Sequence, residues 1–438
     1  MSVGALAKEA RCGTSEGISG RESAMFEQLD LFGHVTNAYA DAGGRLTNAQ
    51  LYERVAREAG IDAERFNARE PIGKSGQKHS VLKRKLRWFQ QTLKSAGIVE
   101  HVPGERGAWR LANRTKTGLH EARSHTRVVA FSTNLGLAVF GRCESVLAGL
   151  DQPITLAVSS PPYLLRKSRA YGNPSSEEEY IDFLCRALEP VISHLAPGGS
   201  LCLNLSNDCF IPGSSARSIY LERLVIALCD RGMFLMDRIP WINPCKLPGP
   251  VQWASKARVQ LNVGYEHILW FCNRPDAVSS DNRRVLEAHT KRHMALMTSG
   301  GEQREGIYGD GAYRLRSGAF GSVTEGRIPR NVLVRGHRCA DALRYRADAT
   351  ALGLPLHGAR QPLSVVDFLI RFLSKAGDLV CDPFGGTVTT GMAAELNGRR
   401  WLVVECMLEY LRASAERFRG MPGFRLTPAI ELPRWDSA

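Results

Sequence analysis

Asp378–Glu405 is the stretch that most restricts what this chain can fold into. An apolar run opens at Asp378–Val380 and passes into Cys381-Asp382-Pro383-Phe384-Gly385-Gly386-Thr387-Val388-Thr389-Thr390-Gly391. A helical pattern follows from Thr390 to about Asn397, and Trp401–Val404 is a second apolar run that ends on Glu405. Strand, glycine turn, helix, strand and acid is the layout of a nucleoside-binding βαβ unit. The glycines let the backbone approach a ligand with no Cβ in the way. Glu405 is placed to accept hydrogen bonds from ribose hydroxyls. An ordinary α/β turn with an acid capping a strand gives the same pattern, so this element alone leaves both readings open.

Val158–Tyr163 reads Val-Ser-Ser-Pro-Pro-Tyr and ends an apolar run that begins at Ile154. Two successive prolines cannot extend a strand ladder, because neither has an N–H and both fix φ. The chain therefore leaves the sheet at a rigid point, with the Ser160 hydroxyl on one side and the Tyr163 ring on the other. Such a turn suits a flat molecule that carries an amino group. The ring offers a face, while Ser160 and the Pro161 carbonyl offer acceptors. The other reading is a loop that only turns the chain.

Together, and in this order, the two stretches resemble the β-group amino-methyltransferases that act on DNA and use S-adenosylmethionine. Glu266–Phe271 is similar to the strand near the end of that family's catalytic half. His357–Pro362, followed by the helix-like Leu363–Leu373, is similar to the segment that meets the methionine end of the cofactor. The resemblance spans roughly Val139–Phe418, less a central stretch. It implies an α/β fold, a Rossmann-like methyltransferase with a mainly parallel seven-stranded sheet. It implies Ser160, Pro161, Pro162 and Tyr163 as the catalytic loop. Asp382, Pro383, Phe384, Gly385, Gly386, Thr387 and Thr389 would surround the cofactor, with Glu405 on its ribose. His357 is either a cofactor contact or a capping residue.

In this family a Ser-Pro-Pro-Tyr loop mostly accompanies N4-cytosine methylation, whereas Asp or Asn in the serine position is more common for N6-adenine. The resemblance therefore implies site-specific transfer to the N4 amine of cytosine in double-stranded DNA, in a restriction-modification or epigenetic role. N6-adenine is the alternative acceptor. An exocyclic amine has its lone pair delocalised into the ring. Hydrogen bonds from its protons to Ser160 and the Pro161 carbonyl would draw the nitrogen toward sp³ geometry, with Tyr163 stacked on the extruded base. A cognate restriction endonuclease is a further implied partner, and monomer and homodimer both fit.

Two positions depart from the family pattern. Arg142 stands in Gly141-Arg142-Cys143-Glu144 where an Asp is usual, which puts a side-chain contact to the cofactor's adenine in doubt. Val388 stands where a glycine is usual, and a β-branched residue resists positive φ. The loop is expected to take a negative φ there, or the site is impaired. A DNA-binding regulator built on a degenerate methyltransferase is the rival reading these departures support.

The formal net charge of +13 suggests a polyanionic partner, nucleic acid before membrane. No apolar run reaches membrane-spanning length. The 11 cysteines are scattered without a metal-ligand pattern. Neither metal nor disulfide is expected, and the reducing compartment implied is the cytoplasm. Residues 1–25 are expected to be a disordered tail. Residues 29–112 read as a winged-helix-like α+β unit: a helical pattern over Leu46–Ala59, a polar loop with Pro71, Gly73 and Gly76, a helical pattern over His79–Ala96, then two short strands, Ile98–Val102 and Ala108–Leu111. Lys83, Arg84 and Arg87 gather on one face of the second helix, where DNA contact is expected; a protein-binding module is the alternative.

Residues 113–124 read as a linker, 125–273 as the catalytic half, 357–420 as the cofactor half and 421–438 as a tail. After Tyr163, Arg166, Lys167 and Arg169 form a basic loop suited to phosphate contact. Residues 274–356 are polar and arginine-rich, in the place of a target-recognition insert, with Ser279–Glu305 expected to lack order without DNA.

Overall fold

Thr47 caps the helix Asn48–Glu58. Its hydroxyl accepts from the Gln50 amide at 3.3 Å, while the Gln50 side chain accepts from the Thr47 amide at 2.8 Å, a reciprocal cap. The computed structural model describes residues 45–71, 77–95, 99–111, 119–122, 125–163 and 176–427, with 35, 38, 39 and 430. The tail expected over 1–25 and the basic residues Arg166, Lys167 and Arg169 lie outside the described residues.

The capped helix, Asn48–Glu58, buries Leu51 and Val55. A short helix, Ala63–Asn67, and the helix Val81–Ser95 follow, the latter turning Leu86, Phe89 and Leu93 inward. Strands β1 (Arg45–Thr47), β4 (Val99–His101) and β5 (Ala108–Leu111) form an antiparallel sheet in the order β1-β5-β4. The polar loop expected between the helices carries a strand pair, β2 (Arg69–Pro71) with β3 (Lys78–Ser80). Ser80 fixes it by donating to the Phe66 carbonyl at 2.8 Å.

The larger part is a ten-stranded mixed sheet where seven strands were expected. Its strands are β6 (Arg127–Ser132), β7 (Gly136–Gly141), β8 (Ile154–Ser159), β9 (Leu195–Leu205), β10 (Phe234–Ile242) and β11 (Tyr265–Cys272), then β14 (Leu333–Val334), β15 (Leu379–Asp382), β16 (Arg400–Glu405) and β17 (Arg425–Leu426). The order is β14-β10-β11-β9-β8-β15-β16-β7-β6-β17. The central strands β9-β8-β15-β16-β7 run parallel. Successive side chains alternate between two apolar layers. Val380 and Val403 face the helices Leu363–Leu373 and Thr389–Leu396, whereas Cys381, Leu402 and Val404 lie in the layer with the helices Glu177–Ser193 and Tyr220–Cys229.

Ser279–Glu305 is ordered, contrary to expectation. Low hydropathy hides its anchors, which end on backbone carbonyls: the Asp281 amide donates to the Phe372 carbonyl at 2.9 Å, and the Arg284 guanidinium donates to the Ser374 and Ser279 carbonyls. The helix Lys291–Thr298 and a hairpin of β12 (Gly306–Tyr308) with β13 (Tyr313–Leu315) follow, before β14 joins β10 at the sheet edge. Several insert arginines serve structure, Arg283 on Asp281, Arg304 on Glu302 and Arg327 on Glu287. Arg292, Arg314, Arg316, Arg330 and Arg338 are exposed.

Val388 also corrects the expectation: it sits at φ 54°, in the left-handed region. Its amide donates to the Gly385 carbonyl at 2.7 Å, and its side chain is fully buried. The conformation costs roughly 1–2 kcal/mol. Burying a valine side chain returns about 1.5–3 kcal/mol, which offsets it. Gly391 makes the room, since a Cβ there would lie 2.9 Å from a Val388 methyl. Among the described residues, no helix is long and apolar enough to cross a membrane, and no group of three or more His, Cys, Asp or Glu side chains could hold a metal ion.

Candidate active site

Strands β8, β15, β16 and β7 are neighbours and end on the same side, and their C-terminal ends line a cavity of about 300 Å³. At about 4.8 Å per strand, the cavity runs roughly 14 Å from β8 to β7. Ligand sites of open α/β sheets lie at such strand ends, where the chain order reverses.

Ser160, Pro161, Pro162 and Tyr163 line the β8 end. The prolines end the strand as expected, and the Pro162 carbonyl accepts from the buried Tyr180 hydroxyl at 2.7 Å. Among the described residues, no donor is directed at the Pro161 carbonyl. The Ser160 hydroxyl donates to the Tyr163 hydroxyl at 3.2 Å, which donates to Glu266 Oε2 at 2.9 Å. Glu266 also accepts from Asn204 Nδ2 at 3.2 Å and from Lys246 Nζ at 3.4 Å, and Gln361 donates to Asn204 Oδ1 at 3.1 Å. Burial and the Glu266 charge push the Tyr163 phenol well above its usual range, so it stays a donor at neutral pH. An ionised carboxylate only accepts. The direction of the chain is therefore fixed from Glu266 outward, and the lone pairs of Ser160 Oγ are left to accept.

Sequence reasoning placed Glu266 only on a strand and Gln361 only within the segment His357–Pro362, and it gave Asn204 no role. The one available signal was an acid heading an otherwise apolar strand.

Asp382 builds the turn. Ser159 Oγ at 2.5 Å, Thr390 Oγ1 at 2.7 Å and the Phe384 amide at 3.0 Å all donate to its carboxylate. Burial nevertheless pushes its carboxyl up to about 6. Pro383, Phe384, Gly385, Gly386, Thr387 and Thr389 line the cavity beside it. Gly385 packs on β16 so closely that a Cβ would meet Val403 at 2.2 Å, and Gly386 adopts φ 51°. His357 stands in the loop ahead of the helix Leu363–Leu373, whose N-cap is Pro362. It lines the cavity, its ring lies 4.6 Å from that of Tyr410, and its Nδ1 accepts from the Ala359 amide at 3.3 Å.

Glu405 is 8% exposed and lines the cavity. Its oxygens accept from the Gly386 amide at 2.6 Å and the Met407 amide at 2.8 Å. Burial pushes its carboxyl up to about 7. A carboxylate that must accept from a ligand is weakened by protonation. Affinity for a ligand whose hydroxyls donate to Glu405 is therefore expected to rise as pH increases through about 7 and to fall below it. Calorimetry between pH 6 and 8 checks this (Glu405→Gln is expected to flatten the profile).

At the β7 end stand Arg142 and Glu121, joined at 2.5 Å. The N-terminal basic residues are not among the cavity's lining. Arg84 and Arg87 are exposed beside the exposed Trp88, whereas the Lys83 ammonium lies 5.8 Å from the Tyr52 ring centre and 6.0 Å from that of Phe66.

Two segments match known family models: residues 154–416 match that of a DNA methylase, N6_N4_Mtase, and residues 30–121 match the Mrr N-terminal domain. The chain is 31% identical over 291 residues to the type II methyltransferase M.PvuII of Proteus hauseri, covering 66% of this chain and 85% of that protein. It is 23% identical over 293 residues to the type II methyltransferase M.ScaI of Streptomyces caespitosus, covering 66% of this chain and 82% of that protein. The solved PvuII DNA methyltransferase (cytosine-N4-specific) is similar at a TM-score of 0.52 and 30% identity, covering 67% of this chain and 89% of that one.

Proposed function

As this chain belongs to the N6/N4 DNA methylase family, whose methyl donor is S-adenosylmethionine, we propose that it methylates the N4 amine of cytosine at a specific site in duplex DNA. The cavity suits that cofactor. Glu405 accepts from two backbone amides and from the weak Cys406 thiol donor, and its carboxylate has acceptor capacity left for ribose hydroxyls. Gly386 keeps the turn open beside His357, since a Cβ there would lie 3.3 Å from the imidazole. When bound, S-adenosylmethionine supplies an electrophilic methyl group on a sulfonium.

The polarity of the Ser160 hydroxyl carries this reading. Ser160 Oγ and the Pro161 carbonyl take the two protons of the amine, which localises the nitrogen lone pair toward the methyl group. Tyr163 holds the extruded base by its ring face. The serine hydroxyl is kept as an acceptor because Tyr163, backed by Glu266, claims its proton. Rate enhancement then comes from positioning. The proton shed by the alkylated amine has a path along Ser160 and Tyr163 to Glu266.

Cytosine is supported by the serine at position 160 and by the likeness to the cytosine-N4-specific PvuII enzyme. A restriction-modification role is supported by type II methyltransferases among the relatives. The N-terminal unit, through Arg84 and Arg87, and the exposed arginines of residues 274–356 are proposed to contact the DNA.

Methyl transfer from labelled S-adenosylmethionine to mixed-sequence duplex DNA, followed by digestion to nucleosides, tests the proposal. N4-methylcytosine is expected. N6-methyladenine would move the acceptor to adenine with the mechanism intact. Cofactor binding without any transfer to DNA would overturn the proposal.

A further inference from the structure

The segment between the N-terminal unit and the large sheet crosses the far end of the cavity. The Ala122 amide donates to the Cys406 carbonyl at 2.8 Å, and the Leu408 amide donates to the His120 carbonyl at 3.1 Å. The His120 ring is buried against Glu409, Nδ1 to Oε1 at 2.5 Å, and the His120 amide donates to the other Glu409 oxygen at 2.8 Å. Leu119 packs with Met407 and Tyr410. These contacts hold Leu119–Ala122 against the chain that leaves β16, immediately after Glu405. Two of the residues so joined, Cys406 and Tyr410, line the cavity, and Glu121 lines it as well. Glu121 is also the last residue of the segment that matches the Mrr N-terminal domain.

The position of Glu121 along the cavity gives it a chemistry. Methyl transfer takes place at the β8 end, where Ser160 and Tyr163 stand, and Glu405 marks the ribose at β16. The β7 end lies one strand beyond, and only the base of the nucleoside remains to fill it. Arg142 donates to Glu121 Oε1 at 2.5 Å and to the Ala122 carbonyl at 3.3 Å, which holds the carboxylate at the rim with its second oxygen uncommitted to that pair. A carboxylate accepts from an amine and repels a carbonyl oxygen.

We infer that Glu121, presented by the interdomain segment and held by Arg142, recognises the exocyclic amine of the cofactor's adenine. The segment between the N-terminal unit and the large sheet thereby supplies one wall of the cofactor site. The inference rests on the proposed placement of S-adenosylmethionine in this cavity.

Calorimetry on the full chain tests it with two probes, S-adenosylhomocysteine and its inosine counterpart, in which the amine is replaced by a carbonyl oxygen. The unaltered chain is expected to prefer the adenine form strongly. Glu121→Ala is expected to weaken the adenine form roughly 10- to 100-fold, the value of one charge-assisted hydrogen bond, and to leave the inosine form unchanged or improved. His120→Ala, which loosens the segment that presents Glu121, is expected to weaken the adenine form more than the inosine form, and by less than Glu121→Ala does. Equal weakening of both probes by Glu121→Ala would reduce Glu121 to a packing role and overturn the inference. Unchanged binding of both would overturn it as well. Failure of the unaltered chain to bind S-adenosylhomocysteine would instead overturn the placement of the cofactor.

Discussion

Tyr163→Ala is expected to lower the rate of methyl transfer at saturating cofactor and DNA by at least ~100-fold, because it removes the face that positions the base. It also removes the hydroxyl that orders Ser160. Binding of S-adenosylmethionine is expected to stay within about twofold, since the ring is not needed to hold the nucleoside. Tyr163→Phe separates the two roles. It keeps the face but frees the Ser160 proton from its acceptor, whose own partner is Glu266 at 2.9 Å. An intermediate loss of about tenfold is expected for it, the worth of one hydrogen bond. Single-turnover kinetics measures both variants. Near-full activity of Tyr163→Ala would remove the loop from the catalytic assignment.

Asp382→Ala is expected to cost the fold about 3–5 kcal/mol, seen as a fall of roughly 10 °C in melting temperature. The substitution strands the Ser159 and Thr390 hydroxyls and the Phe384 amide in a buried turn. The pH dependence of the native chain follows from the same group. Its carboxyl is raised from 3.8 to about 6, so its contribution to stability is fully present below about pH 4 and is lost as pH rises through 6. Asp382→Asn is expected to flatten that part of the profile. Thermal melts of the three proteins from pH 4 to 7 measure both effects, and a melt of Asp382→Ala indistinguishable from the native one would show that the turn does not depend on this acid.

What was legible in the sequence was local. The double proline ends β8 because proline has no amide to give the ladder, and the glycine turn leads from β15 into a helix because Gly385 and Gly386 meet conditions that a Cβ would break. The partners of the site were not legible, because they are distant along the chain. Glu266 lies 103 residues from Tyr163, and Gln361 lies 157 from Asn204. Nothing in an alternating apolar pattern announces that an acid will meet a phenol across a sheet. Val388 misled because local preference argues for negative φ, while burial of its side chain outweighs that preference. Ser279–Glu305 misled because its order rests on hydrogen bonds from the Asp281 amide and the Arg284 guanidinium to the distant Phe372 and Ser374 carbonyls, which composition does not register.

The two ends of the large sheet bear on how this protein behaves in a crowded solution. Each outermost strand, β14 on one side and β17 on the other, is only two residues long. A strand that short offers a neighbouring molecule almost no ladder to extend, and short edges are a common guard against sheet-to-sheet aggregation. Ten strands with long open margins would invite polymerisation of the enzyme on itself. The guard is partial, since β14 pairs only with Trp241 and Ile242 of β10 and β17 only with Phe131 and Ser132 of β6, so the rest of those two strands is left to side chains to protect.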